Sequence, residues 1–302
     1  MGHNHIHTHE HSHAVNVENL NSAFILGIIL NSVFVVTEFL VGFIYNSAGL
    51  ISDAGHNLSD VASLIIAMLA FRLAKIHPNK SYTYGYKKST IHVSLINAII
   101  LIVAVCFIIY ESVEKIINPV VISGKAIGIT AGIGVIVNGL TAYLFLKDKD
   151  KDLNVKGAYL HMAADALVSV GVVISGIVIN ISGWYIIDSI IGLGISVIII
   201  ISTIDLLKDS VRLALDGVPK GIDSNEIVEH IKHIDNVEDV HHIHIWAIST
   251  TQNALTAHIK LRDLNYLEQT KKAIKEELVE HNISHSTLEF EKEMCNCNDC
   301  CE

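Results

Sequence analysis

The sequence is poor in charged residues: Asp, Glu, Lys and Arg make up only 17% of its 302 residues, while 51% are hydrophobic. A soluble domain typically carries about 25% charged residues, so this shortage argues against an entirely soluble protein. Basic residues are scarcer than acidic ones, and the formal net charge is -10 with His neutral. Binding of nucleic acid requires Lys and Arg patches that neutralise phosphates, so this charge argues against nucleic acid as a partner.

Cysteine is also scarce, and its placement excludes a disulfide framework. Of the five cysteines, Cys106 lies in an apolar run, where a free thiol behaves as a small hydrophobic residue. The other four are too close together to close useful loops, which favours metal ligation or redox chemistry. They are Cys295, Cys297, Cys300 and Cys301. The N-terminal segment also lacks the features of a cleavable signal peptide, so none is expected.

Long apolar runs are abundant where charge is missing. A helix needs roughly 20 apolar residues to cross the hydrocarbon core of a bilayer, and six runs approach or exceed that length. They are Ala23–Tyr45, Leu50–Leu73, Thr90–Ile117, Ala126–Leu146, Gly157–Ile181 and Ile186–Leu206. The sequence therefore predicts a six-helix transmembrane domain over residues 21–207, with membrane lipid as its surroundings.

The positions of the lysines predict how the helix bundle is oriented in the membrane. They gather in the loops after the second and fourth runs and beyond the sixth, whereas the turns after the first and fifth runs carry no Lys or Arg. By the positive-inside rule, both termini are predicted to be cytoplasmic. The membrane would be the plasma (inner) membrane if the protein is bacterial, and an organelle membrane is the alternative.

The character of the sequence changes after residue 207. Helical periodicity over Asn225–Ile234 and Tyr266–His281 is interleaved with strand-like alternation. The alternating segments are Val237–Ser249, Ala254–Leu261 and Ile283–Glu291. The predicted fold class is a polytopic α-helical membrane protein whose residues 208–293 form a cytoplasmic α+β domain, ordered αββαβ and ferredoxin-like. Residues 1–20 form a His-rich cytoplasmic tail, and residues 294–302 form a Cys-rich tail.

Two of the apolar runs contain the same ionisable pair. His56 and Asp60 lie four residues apart in the second run, and His161 and Asp165 have the same spacing in the fifth. This spacing places both side chains on one helical face. A single pair could reflect a His that hydrogen-bonds its neighbouring Asp in a packed core. Because burial of ionisable groups in a membrane is costly, the repeated spacing favours a four-ligand metal site with the N₂O₂ donor set that Zn²⁺ accepts.

This site implies proton exchange, because Zn²⁺ binds neutral imidazole and ionised carboxylate and must displace protons from them. The unperturbed pKa of His, about 6.5, lies in the range where such exchange works at cellular pH. Asp53, one turn before His56, is a further residue predicted to line the ion path.

Five motifs together resemble the cation diffusion facilitator family, and the likeness covers nearly the whole chain. It is closest to the zinc-type branch, in which both site helices read HxxxD. The motifs are SAGLISDAGH at Ser47–His56, TYGY at Thr83–Tyr86, His161–Asp165, LDGVP at Leu215–Pro219 and VHHIHIW at Val240–Trp246. The resemblance implies a Y-shaped homodimer that exports Zn²⁺ from the cytoplasm by proton antiport with alternating access.

The resemblance also implies roles for residues outside the membrane. Lys88 would form a hinge salt bridge with Asp216, although Thr90 stands where the family often has Glu. A zinc site holding the dimer together would use His241, His258, His285 and Glu291. In animal relatives a Cys pair near the C-terminus joins that site, and here Cys295, Cys297, Cys300 and Cys301 have a spacing that lets them share a Zn²⁺ or Cu⁺ ion.

The N-terminal tail carries alternating histidines, a pattern typical of a low-affinity metal collector. These are His3, His5, His7, His9, His11 and His13. Residues His9 to His13 formally match the HExxH signature of metalloproteases, but that signature requires a stable helix and a third ligand, and this polar stretch offers neither.

Three other function classes fit the sequence less well. An enzyme needs an open coordination position and a substrate pocket, which no motif supplies, so neither enzymatic activity nor a catalytic cofactor is expected. A channel relies on weak multi-site binding, unlike a four-ligand site. A metal sensor would not need buried His–Asp pairs, and flux across vesicles distinguishes it from a transporter. The choice of metal among Zn²⁺, Co²⁺ and Cd²⁺ stays open, because their affinity series overlap.

Overall fold

Six long helices form the N-terminal two thirds of the protein. The computed structural model describes residues 17–44, 48–118, 124–184 and 186–292. The helices are α1 (Val17–Ile44), α2 (Ala48–Ala74), α3 (Ser89–Ile117), α4 (Gly124–Leu146), α5 (Leu153–Ser182) and α6 (Ile186–Ala214). Each contains between 23 and 30 residues. At 1.5 Å per residue, each is long enough to cross a hydrocarbon core of about 30 Å, and the six-helix prediction is confirmed.

The outer surface of this bundle is apolar. Large side chains such as Val33 and Phe43 on α1, or Val103 and Phe107 on α3, are more than half exposed. In the described residues, the segments Ser22–Val41, Ser89–Glu114 and Ser189–Ala214 combine sufficient length and hydropathy to span a membrane. So much exposed apolar surface is stable only against lipid. The protein is therefore an integral membrane protein.

Inside the bundle, α3 packs along α6, α4 along α5 and α1 along α2, while α2 also meets α5. Phe24, Leu64, Phe145 and Met162 form a fully buried cluster that joins α1, α2, α4 and α5. The rings of Phe24 and Phe145 lie 4.8 Å apart in a tilted arrangement. This cluster fixes the separation of α2 and α5, the two helices that carry the HxxxD pairs.

The sixth helix extends well beyond the apolar run that predicted it. The domain boundary placed at residue 207 falls inside α6, which continues to Ala214. Lys208 and Arg212 are exposed on this extension, so the apolar composition ends before the helix does. Asp216 then adopts a left-handed conformation with φ 57, and the Gly217 N–H donates to the Arg212 carbonyl at 2.8 Å. This arrangement terminates the helix.

The C-terminal domain has the predicted αββαβ order. Its elements are α7 (Ser224–Lys232), β1 (Val237–Ser249), β2 (Gln252–Leu261), α8 (Leu267–Glu280) and β3 (Ile283–Glu291). Strand β2 lies in the middle of the sheet, antiparallel to β1 and parallel to β3. The single turn Leu264–Tyr266 and helix α8 make the crossover that a parallel pair requires. The α+β fold class is therefore confirmed.

Alternation along the strands gives the sheet two different faces. Leu255, Ile259 and Leu261 are buried in a core shared with Ile231 of α7 and Ile274 of α8. Residues at the intervening positions of β2 point to the opposite face, which carries no helix. His258 and Lys260 lie on this open face, and so do their cross-strand neighbours on β1 and β3.

Candidate metal centres

Helices α2 and α5 bring three of the four predicted transport ligands together. The Nε2 atom of His161 lies 2.5 Å from Oδ1 of Asp60 and 3.7 Å from Oδ2 of Asp165. One ligand atom from each of the three residues lies within 4.8 Å of the others. Asp60 is 1% exposed and His161 is 6% exposed. Two carboxylates and an imidazole thus converge deep inside the bundle.

One carboxylate oxygen of Asp60 is available to bind a metal ion. Its Oδ2 atom is buried and accepts no hydrogen bond from any residue whose side chain the structure describes. Burial of an unsatisfied charged oxygen costs several kcal/mol in order of magnitude, and a cation bound between the carboxylates removes that cost. The three side chains therefore fit a divalent metal ion with mixed oxygen and nitrogen ligands.

The fourth predicted ligand, His56, lies on α2 one turn before Asp60. The side chains of His56 and Asp53 lie outside the described residues. The backbone nevertheless puts positions 56 and 60 on the same helical face. The assignments of His56 as a ligand and of Asp53 as a path-lining residue stay predictions.

A small pocket adjoins this group on the side that faces the C-terminal domain. Its lining comes from α2, α3 and α5: Asp60, Ser63, Leu64, Asn97, Leu101, Gly157, Ala158 and His161. Ser63 and Leu64 follow Asp60 on α2, and Gly157 and Ala158 precede His161 on α5. Both directions lead to the helix ends that adjoin the C-terminal domain.

Sequence reasoning did not identify the polar lining of this pocket. Asn97 is 6% exposed, and its Oδ1 atom has no hydrogen-bond partner among the described side chains and backbone. Elsewhere in the bundle, the buried Glu38 accepts a 2.6 Å hydrogen bond from the side chain of Asn57. The only sequence signal for Asn97 is an amide within a membrane span.

A second group lies on the open face of the C-terminal sheet. His258 Nδ1 lies 2.5 Å from Glu291 Oε1, and His241 Nε2 lies 3.6 Å from Glu291 Oε2. The Nδ1 atom of His241 is buried and lies 3.7 Å from Asp239 Oδ2. One ligand atom from each of His241, His258 and Glu291 lies within 4.8 Å of the others, and two imidazoles with a carboxylate suit a Zn²⁺-type ion.

His285 does not join this group. It pairs with Ala254 near one end of β3, whereas Glu291 pairs with Lys260 at the other end. Residues six apart on a strand are separated by about 20 Å at 3.3 Å per residue. His285 instead contacts Tyr84 in the α2–α3 loop, with 3.4 Å between its Nε2 atom and the phenol oxygen. The expected four-ligand set is corrected to three residues within one chain.

The predicted metal-binding residues of both tails lie outside the described residues. This applies to His3, His5, His7, His9, His11 and His13, and to Cys295, Cys297, Cys300 and Cys301. Their roles stay predictions.

The predicted Lys88–Asp216 pair is present at the junction between the two domains. Lys88 Nζ lies 2.7 Å from Asp216 Oδ1, and both side chains are about half exposed. An exposed ion pair of this kind contributes only about 0–1 kcal/mol to stability. Asp216 also holds the left-handed position after α6, a conformation that Asp tolerates better than most residues. The pair therefore links the start of α3 to the end of α6 with little effect on stability.

A buried contact at the same junction was not predicted. Asp152 accepts hydrogen bonds from the backbone N–H groups of Asn154, at 2.7 Å, and Val155, at 3.2 Å, and so caps α5. The hydroxyl of Thr250, in the β1–β2 turn, donates to the other oxygen of Asp152. The Thr250 N–H donates to the Thr90 hydroxyl at 3.1 Å. The β1–β2 turn is thus bonded to the first turn of α3 and to the N-cap residue of α5.

Burial dominates the electrostatics of Asp152. Desolvation raises the pKa of its carboxyl above the ordinary value of 3.8, although the hydrogen bonds from Thr250, Val155 and Asn154 act in the opposite direction. The Thr250 hydroxyl therefore supports the ionised form of a carboxylate that burial disfavours.

Comparison with known proteins gives two family matches and several full-length relatives. The model of the cation efflux transmembrane domain matches residues 24–213, and that of the cation efflux protein cytoplasmic domain matches residues 219–292. A protein of Bacillus subtilis named "Cadmium, cobalt and zinc/H(+)-K(+) antiporter" is 33% identical over 301 residues, which is 98% of this chain and 94% of that protein.

Two further relatives come from other bacteria. "Zinc transporter ZitB" of Yersinia pestis is 33% identical over 274 residues, covering 90% of this chain and 88% of that protein. "Metal cation efflux system protein CzcD" of Cupriavidus metallidurans is 31% identical over 271 residues, covering 88% of this chain and 85% of that protein. The similarity in each case includes both domains.

Proposed function

The chain belongs to the cation diffusion facilitator (cation efflux) family, and from this premise we propose that it exports Zn²⁺ from the cytoplasm in exchange for protons. Relatives that cover both domains are named as zinc transporters and as an antiporter of cadmium, cobalt and zinc against H⁺ and K⁺. The single observation that carries the proposal is the meeting of Asp60, His161 and Asp165 between α2 and α5. Ionisable groups at such depth normally mark an ion path.

Proton coupling follows from the contacts of His161. Its Nε2 atom and Oδ1 of Asp60 lie 2.5 Å apart, so a proton lies between them in a hydrogen bond. Zn²⁺ needs the lone pairs of both atoms. Metal and proton therefore compete for the same two groups. If only the metal-loaded and the protonated site change conformation readily, an inward proton gradient drives metal outward.

The direction of transport rests on the pocket and the lysines. From Asp60 and His161, the lining of the pocket extends about one turn toward the helix ends that adjoin the C-terminal domain. The α2–α3 and α4–α5 connections on this side contain Lys75, Lys80, Lys147 and Lys149, so the positive-inside rule places it in the cytoplasm. We propose that both termini are cytoplasmic, and that the membrane is the inner membrane in a bacterium.

Two features outside the membrane support a dimer that responds to metal. The group of His241, His258 and Glu291 is proposed as a structural Zn²⁺ site in the C-terminal domain, and homodimer formation through that domain is part of the proposal. The Lys88–Asp216 pair is proposed as the hinge, because an exposed pair of low net stability can break and re-form as α3 and α6 move. The proposed ions are Zn²⁺ and H⁺, with Co²⁺ and Cd²⁺ as further substrates.

The proposal predicts gradient-driven accumulation of metal. We expect inside-out proteoliposomes containing the protein to take up Zn²⁺ when the lumen is made acidic, and to stop when an ionophore collapses the gradient. A zinc-sensitive dye in the lumen measures the uptake. Vesicles that bind Zn²⁺ on the protein but never accumulate it would indicate a metal sensor and overturn the transport proposal.

The imidazole ligands are predicted to determine which metal ions are transported. His161→Asp replaces a borderline nitrogen ligand with a hard oxygen ligand, so transport of Mn²⁺ should rise relative to Zn²⁺ and Cd²⁺. His56→Asp should act in the same direction. Competition between these metals in the vesicle assay measures the ratios. Unchanged ratios in both variants would contradict the assignment of these histidines as ligands.

A further inference from the structure

A third cluster of ligand-type side chains lies between α7 and α8. His230 is in the last turn of α7, Glu277 is in the last turn of α8, and His281 directly follows α8. Nδ1 of His230 lies 2.7 Å from Oε1 of Glu277 and 3.0 Å from Nε2 of His281. The same Nε2 atom lies 3.3 Å from Oε1 of Glu277. Three ligand atoms thus form a small triangle.

Hydrogen bonding cannot satisfy all three contacts at once. Each ring nitrogen either donates a proton or offers a lone pair, and an ionised carboxylate only accepts. If both nitrogens are protonated, their two N–H groups face each other across 3.0 Å. If one is protonated, the lone pair of the other faces the Glu277 oxygen. With Glu277 ionised, at least one side of the triangle is therefore repulsive in every protonation state of the two histidines.

A cation among the three atoms removes this conflict. Ligands at about 2.0–2.2 Å from a tetrahedral Zn²⁺ ion are separated from one another by about 3.3 Å. The observed separations of 2.7, 3.0 and 3.3 Å therefore need only a small outward shift. The side chains of His230, Glu277 and His281 are 44%, 29% and 23% exposed, so an ion can enter and water can occupy a fourth position.

We propose that His230, Glu277 and His281 bind a divalent cation of the Zn²⁺ class and thereby join α7 to α8. This site is separate from the group of His241, His258 and Glu291, which lies on the opposite, helix-free face of the sheet. It is also separate from the transport ligands in α2 and α5. Because α7 follows α6 through a short connection, metal at this site fixes the helix layer directly after the last membrane span.

Residue-resolved modification of histidine tests the site in the full-length protein. The protein in lipid nanodiscs is treated with diethyl pyrocarbonate at increasing Zn²⁺, and each histidine is quantified by mass spectrometry. When Zn²⁺ reaches about ten times the concentration giving half protection, modification of His230 and His281 should fall about tenfold. His233 is the matched control, because it is exposed at the end of the same helix and contacts the Glu229 carbonyl oxygen instead. Its modification should not change.

Glu277→Gln distinguishes a metal site from a hydrogen-bonded cluster. The amide keeps an acceptor oxygen but loses the charge, so the Zn²⁺ concentration for half protection should rise at least about tenfold. The protection should persist in Asp60→Asn, which separates this site from transport. Modification of His230 and His281 that is independent of Zn²⁺, or protection of His233 to the same extent, would overturn the proposal.

Discussion

Asp60→Asn and Asp165→Asn are each expected to abolish gradient-driven Zn²⁺ accumulation, with initial rates at least about a hundredfold below wild type. Loss of an outer-sphere partner alone costs a metal site 10- to 100-fold, and these changes remove a direct ligand charge. Asn cannot release a proton either, so coupling to the gradient is lost with the ligand. Initial uptake rates in inside-out proteoliposomes with an acidic lumen measure the effect.

Glu38→Gln is the matched control for that prediction. Glu38 is also a buried carboxylate in the bundle, 2% exposed, and it accepts a hydrogen bond from Asn57 that an amide oxygen can still accept. We expect this variant to retain most of its transport. An equal loss in all three variants would show that any buried carboxylate is required, and wild-type rates in Asp60→Asn would remove Asp60 from the site.

Local spacing is the part of the transport site that sequence can predict. An interval of four residues puts Asp60 with His56, and Asp165 with His161, on one face of a helix whatever the rest of the fold does. That the two faces meet depends on the packing of α2 against α5. Because placing ionisable groups against lipid is costly, the sequence predicts indirectly that the two faces turn toward each other. The contact between His161 and Asp60 agrees with that prediction.

Position along a strand is harder to predict than the face of a strand. His285 and Glu291 are an even number of residues apart, so alternation assigns them to one face of β3. The parallel register against β2 then puts them beside Ala254 and Lys260, at opposite ends of the pair. No local pattern specifies this register. The expected ligand set was therefore right about the face and wrong about the position of His285.

Two contacts between distant parts of the chain have no usable signal in the sequence. Glu277 and His281 have helical spacing, but their partner His230 lies 51 residues before His281. Thr250 and Asp152 are 98 residues apart. A lone Asp before a helix predicts an N-cap, which Asp152 is, but nothing in the sequence indicates that a hydroxyl from the other domain completes its hydrogen bonding.

Thr250→Val is expected to lower the free energy of unfolding by about 1–3 kcal/mol at neutral pH, because it leaves a buried oxygen of Asp152 without its donor. The matched control is Thr251→Val, which makes the same change at the neighbouring exposed residue, whose hydroxyl contacts the Ser249 hydroxyl at 3.3 Å. Thermal unfolding in one detergent, with all proteins at equal concentration, measures both. Equal destabilisation by the two variants would contradict the role of Thr250.

The difference in free energy of unfolding between wild type and Thr250→Val should grow as pH rises. In the unfolded chain, Asp152 ionises near its ordinary pKa of 3.8, whereas burial raises the pKa in the folded protein. The Thr250 hydroxyl counteracts that rise, so its loss raises the folded pKa further. The folded variant then binds the proton more tightly than wild type, so its stability continues to fall with rising pH beyond the folded-state pKa of the wild-type carboxyl. We expect a larger deficit at about pH 8 than at about pH 5. Asp152→Asn removes the ionisable group, so in that background the deficit caused by Thr250→Val should be independent of pH, and a persistent pH dependence would assign it to another group.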